Sequence, residues 1–87
     1  MLKLIDFWAE WCPPCKLMDP AIEGVEKEFK GKVEVVKINV DQERAKAEKY
    51  EIFSIPTYVL EKNGKEIGRT TGARSKGEFK EWIEKHL

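Results

Sequence analysis

Ile5-Asp6-Phe7-Trp8-Ala9-Glu10-Trp11-Cys12-Pro13-Pro14-Cys15 is an apolar run that stops at two cysteines, the only two in the 87-residue chain. Its apolar continuity predicts a strand, and the spacing of Leu17, Met18, Ile22, Val25 and Phe29 predicts a helix whose first turn holds both cysteines. Residues three apart share a helix face, so the two sulfurs meet. Pro13 suits the first helical position, where the amide hydrogen it lacks would have had no partner. Cys12 then stands at the positive end of the helix, where unpaired amides and the dipole favour the thiolate, the nucleophilic form. Cys12, at the helix end, is expected to be the exposed sulfur, and Cys15, one turn further in, the interior one placed to resolve what Cys12 attacks.

Two other readings of the pair compete with redox chemistry. A structural disulfide closing so short a loop constrains the unfolded chain little, and nothing else in the composition suggests a secreted module held by disulfides. Cysteines at this spacing are also half of a zinc site. No second pair exists, and the lone His86 is far along the chain, so an intramolecular site lacks ligands. Two chains sharing an ion or an iron-sulfur cluster remain an alternative, and redox chemistry is the reading carried forward.

Length permits one domain over residues 1–87, with a modest core that must use nearly every apolar run. Sixteen basic and sixteen acidic residues give zero formal net charge, which argues against nucleic acid or an anionic membrane as main partner. Asp6 interrupts the only candidate for a signal peptide or membrane span, so the expected location is cytoplasmic. Charged residues make up 37% of the chain, which contains a single Gln, and this leans towards a thermophile.

Leu2 to Trp8 reads as a central strand covered on both faces. Asp6 within it is either a desolvated carboxylate with a raised pKa, a candidate proton acceptor, or a strand-end residue reaching water. The first helix is expected from Pro13 to Lys30, kinked at Pro20 and stopped by Gly31. Val33 to Val40 is a β-branched strand with Val33, Val35, Lys37 and Asn39 on one face, which makes Lys37 either a lysine in a buried strand or a solvated edge residue. Gln42 to Glu51 predicts a charged helix with Ala45, Ala47 and Tyr50 inward. Thr57 to Lys62 and Lys65 to Thr71 flank Asn63-Gly64, a two-residue hairpin. Ser75-Lys76-Gly77-Glu78 has capping-box spacing, and Phe79, Trp82, Ile83 and Leu87 form the stripe of a last helix. The order β-α-β-α-β-β-α implies an α/β fold with a mixed four-stranded sheet and helices on both faces.

Asp6 to Cys12, with Pro14-Cys15-Lys16, resembles the thioredoxin active-site motif. Ile55-Pro56-Thr57 is similar to that family's cis-proline turn, and Lys62-Asn63-Gly64 and Gly72-Ala73 to its later strands and loop. The resemblance runs over essentially all 87 residues. It differs at Pro13, where most thioredoxins carry glycine, and in starting at the family's central strand. The resemblance implies a minimal thioredoxin-like fold, Asp6 as the buried aspartate that takes the Cys15 proton, Lys37 beside it, and a cis bond before Pro56. It also implies that Ile55 offers main-chain hydrogen bonds to a substrate, that Trp8 supports packing, and that Trp11, Pro14, Gly72 and Ala73 form an apolar docking rim.

The expected function is reduction of protein disulfides through a Cys12/Cys15 cycle, by a monomer with no bound cofactor and a thioredoxin-reductase-like electron donor. A glutathione-dependent, glutaredoxin-like reductase is the alternative favoured by the short chain and Pro13. Against it, Thr71-Gly72-Ala73-Arg74 does not resemble the glutaredoxin glutathione loop. Because Pro13 and Pro14 both lack an amide hydrogen, Pro13 also tunes the potential, expected between about −270 and −200 mV.

Overall fold

In the computed structural model, which describes residues 1–87, the chain runs β1 (Leu2–Trp8), α1 (Pro13–Leu17), α2 (Asp19–Glu28), β2 (Val33–Asn39), α3 (Arg44–Lys49), β3 (Thr57–Lys62), β4 (Lys65–Thr71) and α4 (Lys76–Glu84). The sheet order is β2-β1-β3-β4, with β1 parallel to β2 and antiparallel to β3, and β3 antiparallel to β4. The helical crossover from β1 to β2 is what parallel pairing demands, and the tight turn from β3 to β4 is what antiparallel pairing allows.

Strand alternation divides the apolar residues between two cores. Leu2, Leu4, Val33, Tyr58 and Leu60 face Ala21, Ile22 and Val25 of α2 and Phe79 and Ile83 of α4. Ile5, Phe7, Ile38 and Val59 face the other way, against Val36, Tyr50 and Ile52. Because β1 contributes to both, its sequence is apolar at nearly every position. Tyr58 and Phe79 meet edge to face with centroids 4.8 Å apart.

Two helices depart from their expected bounds. The single kinked helix from Pro13 to Lys30 is two helices broken at Met18, which caps the end of α1 and the start of α2. Pro20 has no amide to give the Lys16 carbonyl, and in the first turn of a new helix that loss is free. The second helix ends at Glu28, ahead of Gly31 at φ +86°. The helix expected from Gln42 to Glu51 is only α3. Its leading residues turn about Asn39, whose side-chain oxygen accepts from the Asp41 and Gln42 amides at 2.9 and 3.2 Å. Glu51 turns left-handed at φ +54° and closes it. Ala45 is exposed rather than inward, Ala47 is buried, and Tyr50 packs on Phe7 with centroids 5.3 Å apart.

Ser75 caps α4 by accepting from the Glu78 amide at 3.2 Å, while its hydroxyl donates to the Glu78 carboxylate at 2.9 Å. The buried stripe stops at Ile83, with Trp82 half-buried against Phe79. Leu87 is exposed, because α4 ends before it. Asn63 and Gly64 both adopt positive φ, the requirement of the two-residue hairpin read from sequence.

Phe79→Ala is expected to cost about 3–5 kcal/mol, since Phe79 is fully buried between the sheet and Trp82. Urea unfolding measures it; a loss under about 1 kcal/mol would contradict its place at the centre of the larger core.

Candidate active site

β1 ends at Trp8, and the Cys12 amide donates back to the Ala9 carbonyl at 3.3 Å, turning the chain into α1. Cys12 is the N-cap residue, with extended backbone, and its sulfur accepts from the Cys15 amide at 3.2 Å. Pro13 and Pro14 fill the first helical positions and offer no amide, so this is the sulfur's one main-chain hydrogen bond. Cys12 and Cys15 are joined by a disulfide with Cα atoms 5.3 Å apart.

One expectation about the pair is corrected. Cys12 was to be the exposed sulfur and Cys15 the interior one, yet Cys12 is 3% and Cys15 6% exposed. Both are packed with Ala9 against Trp8, Val40 and Ile55. What separates them is the surroundings each faces. Cys15, and not Cys12, lines a cavity of about 520 Å3 together with Asp6, Trp8, Glu10, Lys16, Asp19 and Lys37.

Asp6 is buried in the middle of the sheet, which resolves its two readings in favour of the desolvated carboxylate. Burial pushes its pKa up to about 6, against the opposing pull of the Lys37 charge, with a smaller upward push from Asp19. Lys37 is its register partner on β2, and the lysine is exposed rather than buried, reaching into the shared cavity without closing an ion pair. On the other side Asp6 pairs in register with Tyr58 of β3. Burial, then Asp6 and Asp19, hold the Tyr58 phenol well above its ordinary range. Tyr58 and Asp19 were not singled out from sequence. The alternation of β3 allocates Tyr58 to a face but does not reveal which β1 residue lies opposite.

The Ile55–Pro56 bond is cis and Pro56 is buried. Thr57 secures that turn, its hydroxyl lying 2.6 Å from the Ser54 carbonyl, to which it donates, and 3.1 Å from the Thr71 hydroxyl. The Gly72 amide donates to the Pro56 carbonyl at 2.8 Å, and Gly72 holds φ +94°, where a side chain would strain the backbone. Two residues on, the Arg74 amide donates to the Met18 sulfur at 3.3 Å, tying this loop to the break between α1 and α2. Ala73 between them is exposed, as are Pro13 and Pro14. Trp11 is 67% exposed, and its indole N–H donates to Asp41 at 2.8 Å, fixing the ring. Beside it lies an apolar groove lined by Trp11, Val40, Ile52, Phe53, Ser54 and Ile55. Of these, sequence reading had singled out Trp11 and Ile55 only, because a lone apolar residue in a loop carries no periodic signal. No group of three or more His, Cys, Asp or Glu side chains comes together as a metal site.

The arrangement is a dithiol-disulfide couple at a helix start, one sulfur sharing a cavity with a carboxyl whose pKa burial raises to about 6. Comparison with known proteins agrees with it. The family model described as Thioredoxin matches residues 1–85. A thioredoxin of Rickettsia felis is 45% identical over 84 residues, covering 97% of this chain and 80% of that one. A thioredoxin of Staphylococcus epidermidis is 40% identical over 86 residues, covering 99% and 83%. Among solved structures, a mutant thioredoxin from Halobacterium salinarum NRC-1 superposes with a TM-score of 0.90 at 32% identity, covering 97% of this chain and 73% of that one. Agreement in sequence over nearly the full length, and in the path of the backbone, establishes the kinship: the chain belongs to the thioredoxin family and is a thiol-disulfide oxidoreductase.

Proposed function

We propose that this oxidoreductase works as a reductant of protein disulfides, with residues 1–87 forming one domain. The reading is carried by the one-sided environment of the pair, in which Cys15 shares a cavity with Asp6. In the reduced protein the Cys12 thiolate attacks a substrate disulfide. A bond forms between Cys12 and one substrate sulfur, and the other substrate sulfur leaves as a thiolate. Asp6 takes the Cys15 proton, and the Cys15 thiolate then attacks Cys12, closing the internal disulfide and releasing the second substrate thiol. Lys37 steadies the Asp6 charge. The Ile55 main chain beside Pro56 pairs with an extended substrate segment, and Trp11, Pro14, Gly72 and Ala73 form the rim on which it docks. Two electrons leave the dithiol in each cycle, and a thioredoxin-reductase-like donor or a thiol pool returns them, with no bound cofactor. The same reading makes it a cytoplasmic monomer, with the charged composition of a thermophile. Insulin disulfide reduction with different electron donors tests the activity and names the donor class.

Cys12→Ser is expected to abolish turnover, whereas Cys15→Ser retains attack by Cys12 and accumulates mixed disulfides. Limiting iodoacetamide near neutral pH should label Cys12 of the reduced protein first, and equal labelling would refute this division of labour.

Asp6 makes a pH prediction with a definite sign. Its carboxyl binds a proton more tightly in the fold than in the unfolded chain, so the Asp6 contribution to stability is full below about pH 4 and is lost as pH rises through about 6. The loss is roughly 3 kcal/mol at about 1.4 kcal/mol per pKa unit. Asp6→Asn should recover that stability at pH 7 while slowing resolution of the mixed disulfide at least about tenfold. Denaturant unfolding at pH 4 and 7, with stopped-flow kinetics, checks both arms. A variant less stable at pH 7 would count against the buried carboxylate.

The potential of the pair is expected between about −270 and −200 mV, the range of reducing thioredoxins and glutaredoxins. Equilibration against glutathione buffers measures it. A value near −120 mV would make the protein an oxidant.

A further inference from the structure

Phe53 is 93% exposed, the most exposed large apolar side chain in the molecule, in the loop two residues before Ile55. It forms one wall of the apolar groove beside Trp11, a hollow of about 370 Å3 with no charged residue in its lining. That volume lies at the small end of ligand pockets and suits one large side chain better than a folded element. Val40 and Ile55 line the groove on one side and pack against the Cys12 and Cys15 cluster on the other, so the groove is continuous with the disulfide. Across the Trp11 ring lies a second hollow, lined by Glu10, Asn39, Asp41 and Gln42, whose only charges are carboxylates. Asp41 holds the ring between the two hollows.

We propose that Phe53 is a specificity-determining residue, selecting disulfides whose cysteine is flanked by a large apolar side chain and by a cationic one. The apolar side chain enters the groove between Phe53 and Trp11, and the cation meets Glu10 and Asp41 beyond the ring. The chemistry of exchange is unchanged, since the inference rests on the reading of the protein as a disulfide reductant and adds which substrates it prefers. Withdrawing apolar surface from water supplies the first preference, and charge complementarity the second.

The test is single-turnover oxidation of the pre-reduced protein, followed by tryptophan fluorescence. The substrates are short peptide disulfides carrying Phe or Ser, and Lys or Glu, within a few residues of the cysteine. The Phe peptide should react about tenfold faster than the Ser peptide, equivalent to about 1.4 kcal/mol. Lys should outpace Glu, with a gap that narrows as salt is raised. In Phe53→Ser the Phe/Ser ratio should fall towards one, Phe53→Leu should keep part of it, and Ile67→Ser, an exposed apolar residue of β4, should keep all of it. Equal rates for Phe and Ser peptides, or an unaltered ratio in Phe53→Ser, overturn the proposal, and so does a preference for Glu over Lys. Absence of exchange with every peptide would strike the reductant reading instead.

Discussion

The double pairing of β1 governs this molecule. Flanked by β2 on one side and β3 on the other, the strand satisfies its backbone within the sheet, and its side chains fill one core from each face. Nothing that ends at Trp8 has freedom to wander, so the following turn delivers Cys12 to the start of α1 in a set place. The parallel partner imposes the crossover through α1 and α2. The antiparallel partner begins at Thr57, immediately after the cis bond, and this brings Ile55 against the cysteines.

Asp6 is the cost built into that arrangement. A carboxylate in a strand covered on both faces is desolvated, and Lys37 in the same cavity offsets only part of the penalty. Replacing it by an apolar residue would favour the fold, and would leave Cys15 facing no titrating group on β1. The exposed apolar residues Trp11, Pro13, Pro14 and Phe53 show the same tension at the surface. They belong to none of the core clusters and stand exposed around the Cys12–Cys15 disulfide.

The break at Met18 joins helix geometry to this surface. Pro20 sets the break, Met18 is buried at it, and its sulfur receives the Arg74 amide. The loop through Gly72 is therefore held at two points, at Pro56 by the Gly72 amide and at the helix junction by Arg74. A proline that reads as a local kink thus helps position a loop more than fifty residues away.

Local signals in the chain carry local consequences. The nearly continuous apolar run of β1, the β-branched run of β2, Asn63-Gly64 and the Ser75 cap all follow from periods and dihedral preferences confined to a few residues, and the elements fall where those signals lie. The paired cysteines were equally legible, because their spacing alone places two sulfurs on one helix turn. Bounds failed where a helix began late or stopped short, as where the turn about Asn39 delays α3 to Arg44 and where α4 ends at Glu84 and leaves Leu87 exposed. Folding decided which residues stand opposite Asp6, for register is a relation between strands and no single strand contains it. It also decided that Cys12 is as buried as Cys15 and that Phe53 stands in water, because exposure depends on what distant segments cover.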